Sequence, residues 1–158
     1  MTIRPYQEAD LDRLKEITVI SFDGISIDQN IQRLHGIIAG KEWHWRKERH
    51  IDGDVQSNRE GIFVAEEDGE VVGYITTRID SDSKIGHIPN FAVLPEHQKK
   101  GIGMKLIETA FRYLIDSGME YVRIETLDQN AIGMHFYPKL GFQEVARQVH
   151  FVMPLEGA

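Results

Sequence analysis

A glycine-rich turn is the first segment whose residue types could do chemistry. The letters QKKGIG (98–103) follow an apolar run and lead into a helical pattern. The first amides of a helix have no partner within the helix and carry partial positive charge, so they attract anions. Glycines let the main chain approach a ligand closely. The turn therefore predicts a phosphate-binding backbone over Gln98–Met104, and a plain charged turn is the alternative.

Two better-known phosphate motifs do not fit this turn. A P-loop places four residues between its glycines and continues with Lys and then Ser or Thr, whereas Gly101 and Gly103 are separated by one residue. A dinucleotide-binding fingerprint needs a third glycine where Leu106 stands. The glycine pair alone therefore leaves the identity of the anion open.

The flanking sequence predicts the elements that hold this turn. Ile107, Ala110, Phe111 and Leu114 recur at helical spacing, and Gly118 ends that helix. Two apolar runs around Asp68-Gly69 predict a β-hairpin. Further strands are predicted at 2–6, 84–94, 120–127 and 144–155 (the last as one long strand or a pair), further helices at 8–20, about 31–38 and 130–142, and a loop at 51–61. This order predicts one domain over 1–158 of α/β (α+β) type, with a mixed, mostly antiparallel sheet flanked by helices.

Composition narrows the class of partner. The chain has 158 residues, a formal net charge of −7 and no cysteine. The acidic balance disfavours nucleic acid and mildly favours cationic partners such as amines. Without cysteine there can be no disulfide and no thiol nucleophile, and the histidines lack metal-ligand spacing, so no metal is predicted. There is no signal-peptide pattern and no apolar run long enough for a membrane span, so a cytoplasmic location is expected.

Two motifs in order resemble the GNAT superfamily of acetyl-CoA-dependent N-acetyltransferases. Gln98-x-x-Gly101-x-Gly103, after a strand and before an amphipathic helix, resembles that family's acetyl-CoA signature. The segment NAIGMHFYPKLGF (130–142) resembles its C-terminal motif. About four-fifths of the chain follows the family pattern, and residues 22–58 do not. The resemblance implies a GNAT fold whose sheet is splayed between the fourth and fifth strands, and transfer of an acetyl group to a primary amine of a small molecule or protein.

The resemblance also implies which residues act. The tyrosine of the C-terminal motif, Tyr137, would be the general acid to the departing thiolate, and its O–H is suited to donate at neutral pH. His87 stands where relatives often carry a glutamate base, and an imidazole ordinarily titrates near pH ~6.5. Glu125 or Asp80, acting through water, are alternatives to His87. The expected cofactor-binding residues are Phe91, Ala92, Val93, Gln98, Lys99, Lys100, Gly101, Ile102, Gly103, Met104, Asn130 and Tyr137.

Several points stay open at this stage. Each implied role has a structural alternative, such as a core tyrosine at 137 or an ordinary strand histidine at 87. Pro138 departs from the family pattern and is expected to bias Tyr137 away from helical geometry. Without a thiol, direct attack of the amine in a ternary complex is the expected mechanism. A non-catalytic acyl-CoA-binding regulatory domain is the alternative, the amine acceptor is not identified, and a homodimer is possible.

Overall fold

The computed structural model describes residues 1–156. The helices are α1 (Leu11–Ser21), α2 (Ile27–His35), α3 (Trp43–Asn58), α4 (Ile102–Asp116) and α5 (Ala131–Leu140). The strands are β1 (Thr2–Pro5), β2 (Phe63–Glu67), β3 (Glu70–Ile75), β4 (Ile85–Ile88), β5 (Phe91–Val93) and β6 (Tyr121–Ile124). Among these residues, no helix combines the length and the apolar character needed to cross a membrane.

The sheet is divided into two parts. One has the order β1-β2-β3-β5 with antiparallel neighbours, and the other pairs β4 with β6 in parallel. The predicted fourth strand is therefore two pieces, β4 and β5, interrupted at Pro89-Asn90. β4 stays with β6 while β5 follows β3, so a gap opens between β5 and β6. This confirms the predicted fold class and the predicted splay.

Helices cover both faces of the larger sheet. On one face the hydroxyl of Tyr74 in β3 lies 2.6 Å from that of Thr18 in α1. On the other face a side chain at Gly73 would meet Leu106 of α4. The side chains of Leu14, Ile17, Tyr74 and Leu106 have no exposed surface, so the core lies on both sides of β3.

Local signals located several elements correctly. The hairpin β2–β3 turns at Asp68 (φ 52°) and Gly69 (φ 80°), the left-handed pair that a two-residue hairpin turn requires. The helix after the glycine turn and the short helix before Gly141 also form where the sequence predicted them. A predicted first helix over 8–20 is a short 3₁₀ turn at Glu8–Asp10 followed by α1.

The predicted loop at 51–61 is wrong, because most of it belongs to α3. Its Gly, Asp, Asn and Ser residues are weak helix formers and suggest a turn. In the fold, Ile51 and Asp54 are 0% and 1% exposed, respectively, since α3 packs them inward. Tertiary packing of one helix face thus overrides weak local propensity.

The predicted strand or strand pair over 144–155 is also not formed. From 142 to 154 the chain follows no helix, strand or turn, and every residue from Gln143 to Glu156 is exposed. The alternating apolar pattern of a strand is present, but a strand needs a neighbouring edge for its backbone groups. Within residues 1–156 this segment has no such neighbour.

Candidate active site

The gap between β5 and β6 exposes main-chain groups of β5. Thr76 N donates to Asn90 O (2.8 Å) and Leu94 N donates to Val72 O (2.9 Å), so even-numbered residues of this segment bond toward β3. In an antiparallel ladder the intervening residues point the other way. Phe91 and Val93 therefore direct their N–H and C=O groups into the gap. The backbone groups of Ala92, which the resemblance also implied as a ligand, belong to the β3 ladder.

The two glycines of the turn serve different purposes. Gly101 precedes α4 with φ 81° and ψ 4°, a left-handed conformation that side chains resist. A side chain at Gly101 would otherwise meet nothing within 4 Å. At Gly103 a Cβ would lie 3.2 Å from the ring of Phe91, so here glycine permits close packing of α4 on β5. The amides of Ile102, Gly103 and Met104 lie in the first turn of the helix and have no helical partner.

Side chains around the turn bond to the protein itself. The amide of Gln98 donates from Nε2 to Val93 O (3.0 Å), which ties the turn to β5. Lys100 Nζ lies 3.7 Å from Glu67, which His97 also contacts at 2.7 Å. The contact with His97 is the main reason that the pKa of Glu67 is lowered. The side chains of Gln98, His97 and Lys100 thus bond within the protein, whereas the first amides of α4 have no helical partner.

Asn130 caps the helix that carries Tyr137. Its Oδ1 accepts from the Gly133 amide (3.1 Å), and its Nδ2 donates to Thr126 Oγ1 (2.8 Å). A Cβ at Gly133 would lie 2.6 Å from Asn130 Nδ2, so glycine is needed beneath this cap. Asn130 thus sets the start of α5.

Tyr137 lies in an aromatic cluster next to the gap. Its ring centroid is 5.6 Å from that of Phe136 and 5.9 Å from that of Phe142, and Phe136 stacks on Phe91 of β5 at 6.1 Å. Burial raises the pKa of Tyr137 to about 12, so the phenol keeps its proton at neutral pH. The expectation that Pro138 displaces Tyr137 from the helix is wrong, because α5 continues to Leu140.

His87 forms a close pair with Glu125. His87 Nε2 and Glu125 Oε2 are 2.6 Å apart, across the parallel pair β4–β6. The backbone of His87 exchanges two hydrogen bonds with that of Arg78 (2.7 and 3.0 Å), which fixes this part of β4. Its neighbour Gly86 faces Leu114 of α4, so His87 projects from the opposite face of the sheet. Asp80, the other alternative, accepts amides of its own loop.

Sequence reasoning missed a buried carboxylate that holds the strand break. Asp54 of α3 is 1% exposed and accepts from Thr76 Oγ1 (2.9 Å), Asn90 Nδ2 (2.7 Å) and Arg78 Nη2 (3.0 Å). Asn90 is the residue at which β4 and β5 separate. We call Asp54, Thr76 and Asn90 the Asp54 brace. The sequence does place Asp54 three positions after Ile51, which is the spacing of one helix face. Because residues 51–61 were predicted to be a loop, this spacing was not read as a buried face.

A basic segment of α3, residues 44–50, borders the same break. Lys47 Nζ donates to Asn90 Oδ1 (3.1 Å) and lies 4.1 Å from the ring of Phe22, and burial lowers its pKa. Trp43 is buried, whereas Trp45 is 38% exposed beneath Arg49 at 4.2 Å. The two tryptophans therefore occupy different faces of a helix. Part of this basic segment thus faces the strand break rather than solvent.

Comparison with known proteins places the chain in a family. The model of the Acetyltransferase (GNAT) family matches residues 27–142. Because this match covers more than half of the chain, the protein belongs to that family. The gap, the glycine turn and the motif on α5 all fall within the matched region.

Curated relatives carry acetyltransferase names. An N-alpha-acetyltransferase of Sulfurisphaera tokodaii is 36% identical over 61% of this chain and 65% of its own length. A mycothiol acetyltransferase of Tsukamurella paurometabola is 29% identical over 90% of this chain and 55% of its own length. The chain thus spans less than two thirds of the length of either relative.

Solved structures share the fold. A Pyrococcus horikoshii protein superposes with a TM-score of 0.73 at 22% identity, covering 94% of this chain and 92% of that one. The PaiA N-acetyltransferase of Thermoplasma acidophilum, solved in complex with coenzyme A, has a TM-score of 0.72 at 22% identity and covers 90% and 89%. At 22% identity, the similarity to these two structures shows that the fold is shared.

Proposed function

We propose that this protein is an acetyl-CoA-dependent N-acetyltransferase that acts on a primary amine by direct attack in a ternary complex. The observation that carries the proposal is the gap between β5 and β6. It joins the main-chain groups of Phe91 and the N–H of Val93, which point away from β3, to the amides at the start of α4 that have no helical partner. A pantetheine amide chain fits the first set and a pyrophosphate fits the second. Membership of the acetyltransferase family supports the same assignment.

Acetyl-CoA would supply an activated acetyl thioester. In the transfer, the amine nitrogen forms a bond to the acetyl carbon as the carbon–sulfur bond breaks. One proton leaves the amine, and the sulfur gains negative charge that a donor must stabilise. The protein therefore needs a proton acceptor on the amine side and a hydrogen-bond donor on the sulfur side.

Tyr137 is proposed as the donor to sulfur. Burial raises the pKa of Tyr137 to about 12, well above the ~8.5 of an ordinary thiol, so complete proton transfer to a thiolate is unfavourable. A hydrogen bond that strengthens as charge develops is favourable, and it acts only in the transition state. We therefore assign Tyr137 the role of stabilising the leaving group, with the final proton coming from solvent.

His87 is proposed as the acceptor of the amine proton. With Nε2 donating to Glu125, the other ring nitrogen, Nδ1, is the one able to accept a proton. The carboxylate orients the ring and stabilises the imidazolium that forms. His87 projects from the face opposite to α4, whereas Tyr137 belongs to the helix packed on Phe91. This separation suits entry of the amine and departure of the thiol from different faces.

The test is release of free CoA from acetyl-CoA across a panel of amines that includes peptide α-amines and small-molecule amines. Because the chain has no cysteine, a thiol-reactive dye gives no background signal from the protein. We expect amine-dependent release, a fall in kcat of about 100-fold or more in Tyr137→Phe, and a changed pH profile in His87→Ala. Tyr121→Phe, at a tyrosine that is 75% exposed on β6, is the matched control.

The opposite result would identify the alternative. Tight binding of acetyl-CoA by calorimetry, without turnover of any amine, would indicate a non-catalytic acyl-CoA-binding regulatory domain. Preference for ATP or NAD over acetyl-CoA would contradict the proposed cofactor. A single domain over 1–158 and a cytoplasmic location belong to this proposal, and the location is consistent with a cysteine-free chain.

A further inference from the structure

Lys47 of α3 is a cation at the strand break that has no anionic partner. Its Nζ donates to Asn90 Oδ1 (3.1 Å), lies 3.5 Å from His50 Nδ1 and is 4.1 Å from the ring centroid of Phe22. Among residues 1–156 it forms no ion pair, although its side chain is partly buried. A charge that is withdrawn from water ordinarily has a partner of opposite sign. The surroundings of Lys47 are therefore suited to an anion.

The carboxylates that act on Lys47 are bound to arginines instead. Burial lowers the pKa of Lys47, and the charges of Asp28 and Asp54 oppose this only in part. Asp28 pairs with Arg46 at 3.2 Å, and Asp54 pairs with Arg78 at 3.0 Å. The fold thus leaves the ammonium group of Lys47 without a counter-ion from the described chain.

The first turn of α2 adjoins Lys47 and has free donors of its own. Arg46, the residue before Lys47, donates from Nη2 to Asp28 O (3.0 Å), which ties this turn to α3. Ser26 occupies the N-cap position of α2, where a serine ordinarily accepts from the second or third amide of the helix. Here it makes no cap bond, and its buried hydroxyl has no partner among residues 1–156. The first amides of α2 therefore add partial positive charge near Lys47.

Lys47 lies on the side of the sheet from which the amine would react. Its hydrogen-bond partner, Asn90, directly precedes Phe91, whose main-chain groups point into the gap. His87 projects from the face opposite to α4, and α3 packs against α1 on that same face. A group bound by Lys47 would thus lie on the amine side of the gap, away from Tyr137.

We propose that Lys47, together with the start of α2, binds a carboxylate of the acceptor, so that the preferred acceptor is a primary amine that also carries an acidic group. This inference rests on the proposed function, because it concerns the second substrate of the same transfer. Amines of similar size without an acid would leave the Lys47 ammonium unpaired, so the contact selects against them. The acid can belong to a free amino acid or to an acidic side chain next to the terminal amine of a peptide.

Matched pairs of acceptors measure what the acid contributes. γ-Aminobutyrate and its amide differ only in the charge at one end, and peptides that begin with Ala-Glu or Ala-Gln provide the same comparison for a peptide source. Release of free CoA should give a kcat/KM about 10- to 100-fold higher for the acidic member of one pair. The pair that shows the preference identifies the source of the carboxylate. Equal values for both members in both pairs would overturn the proposal.

Three variants test whether Lys47 is the residue responsible. Lys47→Gln removes the charge but keeps a donor for Asn90, and it should reduce the preference to within about 2-fold. Lys47→Arg keeps the charge and should keep the preference. Arg49→Met removes an exposed cation of the same helix that stacks on Trp45, and it should leave the preference unchanged. A preference that survives Lys47→Gln, or that falls equally in Arg49→Met, would contradict a direct contact with Lys47.

Binding of the same amines to the CoA-bound protein gives a test that needs no turnover. By calorimetry, the acidic member of the preferred pair should bind about 10-fold or more tightly than its amide, and the difference should disappear in Lys47→Gln. If no amine released CoA, the proposed function would be wrong, and this binding difference would still decide whether the anion subsite exists. Equal binding of acid and amide would overturn the subsite even where acetyl transfer is observed.

Discussion

Replacing Asp54 by alanine should destabilise the protein much more than its position on a helix suggests. Asp54→Ala removes the acceptor shared by Thr76, Asn90 and Arg78. Arg78 is 45% exposed in its side chain and can turn to water, so its share of the cost is about 0–1 kcal/mol. Thr76 and Asn90 are buried, and each unsatisfied donor costs about 1–3 kcal/mol.

Two effects reduce the sum. Thr76 Oγ1 also lies 3.3 Å from Asn90 O, which can accept its proton after the change. Removing a buried carboxylate also relieves its desolvation cost. We therefore expect a net loss of about 2–4 kcal/mol in the free energy of unfolding. Because Asn90 lies where β4 and β5 separate, the affinity for acetyl-CoA should fall as well.

Asp52→Ala is the matched control on the same helix. Asp52 pairs with Lys15 at 2.9 Å, and its side chain is 41% exposed, so its loss should cost about 0–1 kcal/mol. Both changes alter helix propensity equally, so their difference isolates the Asp54 brace. Denaturant unfolding measures the stability, and calorimetry measures acetyl-CoA binding. If the two variants were equally stable to within about 0.5 kcal/mol, the brace would not have the role assigned to it.

Three further predictions concern the turn, an ion pair and the proline of α5. We assign phosphate binding to the backbone of the turn, so Gly101→Val and Gly103→Val should each weaken acetyl-CoA binding by about 100-fold or more. Lys99→Ala or Lys100→Ala should weaken it by less than about 10-fold. Calorimetry showing the reverse ranking would indicate a charged turn. The hydrogen bonds from Arg4 to Asp10 (2.9 Å each) lower the pKa of Asp10, so their stabilisation is present above the carboxylate's ordinary pKa and is lost as the pH falls through the lowered value. Asp10→Asn should therefore cost about 1–2 kcal/mol at pH 7, and the cost should shrink as the pH falls below the ordinary pKa of an aspartate. A cost that does not change with pH in unfolding curves would contradict this. Pro138→Ala should stabilise the protein by about 1–2 kcal/mol, because alanine restores a backbone amide that can donate to the Met134 carbonyl within α5. A lower melting temperature in this variant would show that the proline is needed.

Features that depend on neighbours in sequence were predictable. The Asp68-Gly69 hairpin, the left-handed Gly101 and the apolar face of α4 each follow from backbone preferences or from periodicity within a few residues. The glycine turn could therefore be placed before a helix and beside a strand. Recognition of the family rested on the same local motifs.

The Asp54 brace depends on residues far apart in the chain. Thr76 and Asn90 lie 22 and 36 positions after Asp54, and only the fold brings them together. Local propensity favoured a loop at 51–61, since it cannot register that Ile51 and Asp54 are buried. The pairing of His87 with Glu125 likewise spans 38 positions.

The glycine turn and the C-terminal segment 143–156 show what the sequence alone can decide and what needs the tertiary structure. By itself, the sequence determined that residues 98–104 form a glycine turn at the start of a helix, because glycine conformations and free helix amides are local properties. It also determined that residues 149–155 alternate as a strand does. Only the tertiary structure decided that β5 separates from β6, which opens the gap, and that residues 143–156 pair with no strand of the described chain, residues 1–156. The physical reason is that a strand is completed by hydrogen bonds to a neighbour, and the neighbour is chosen by the fold.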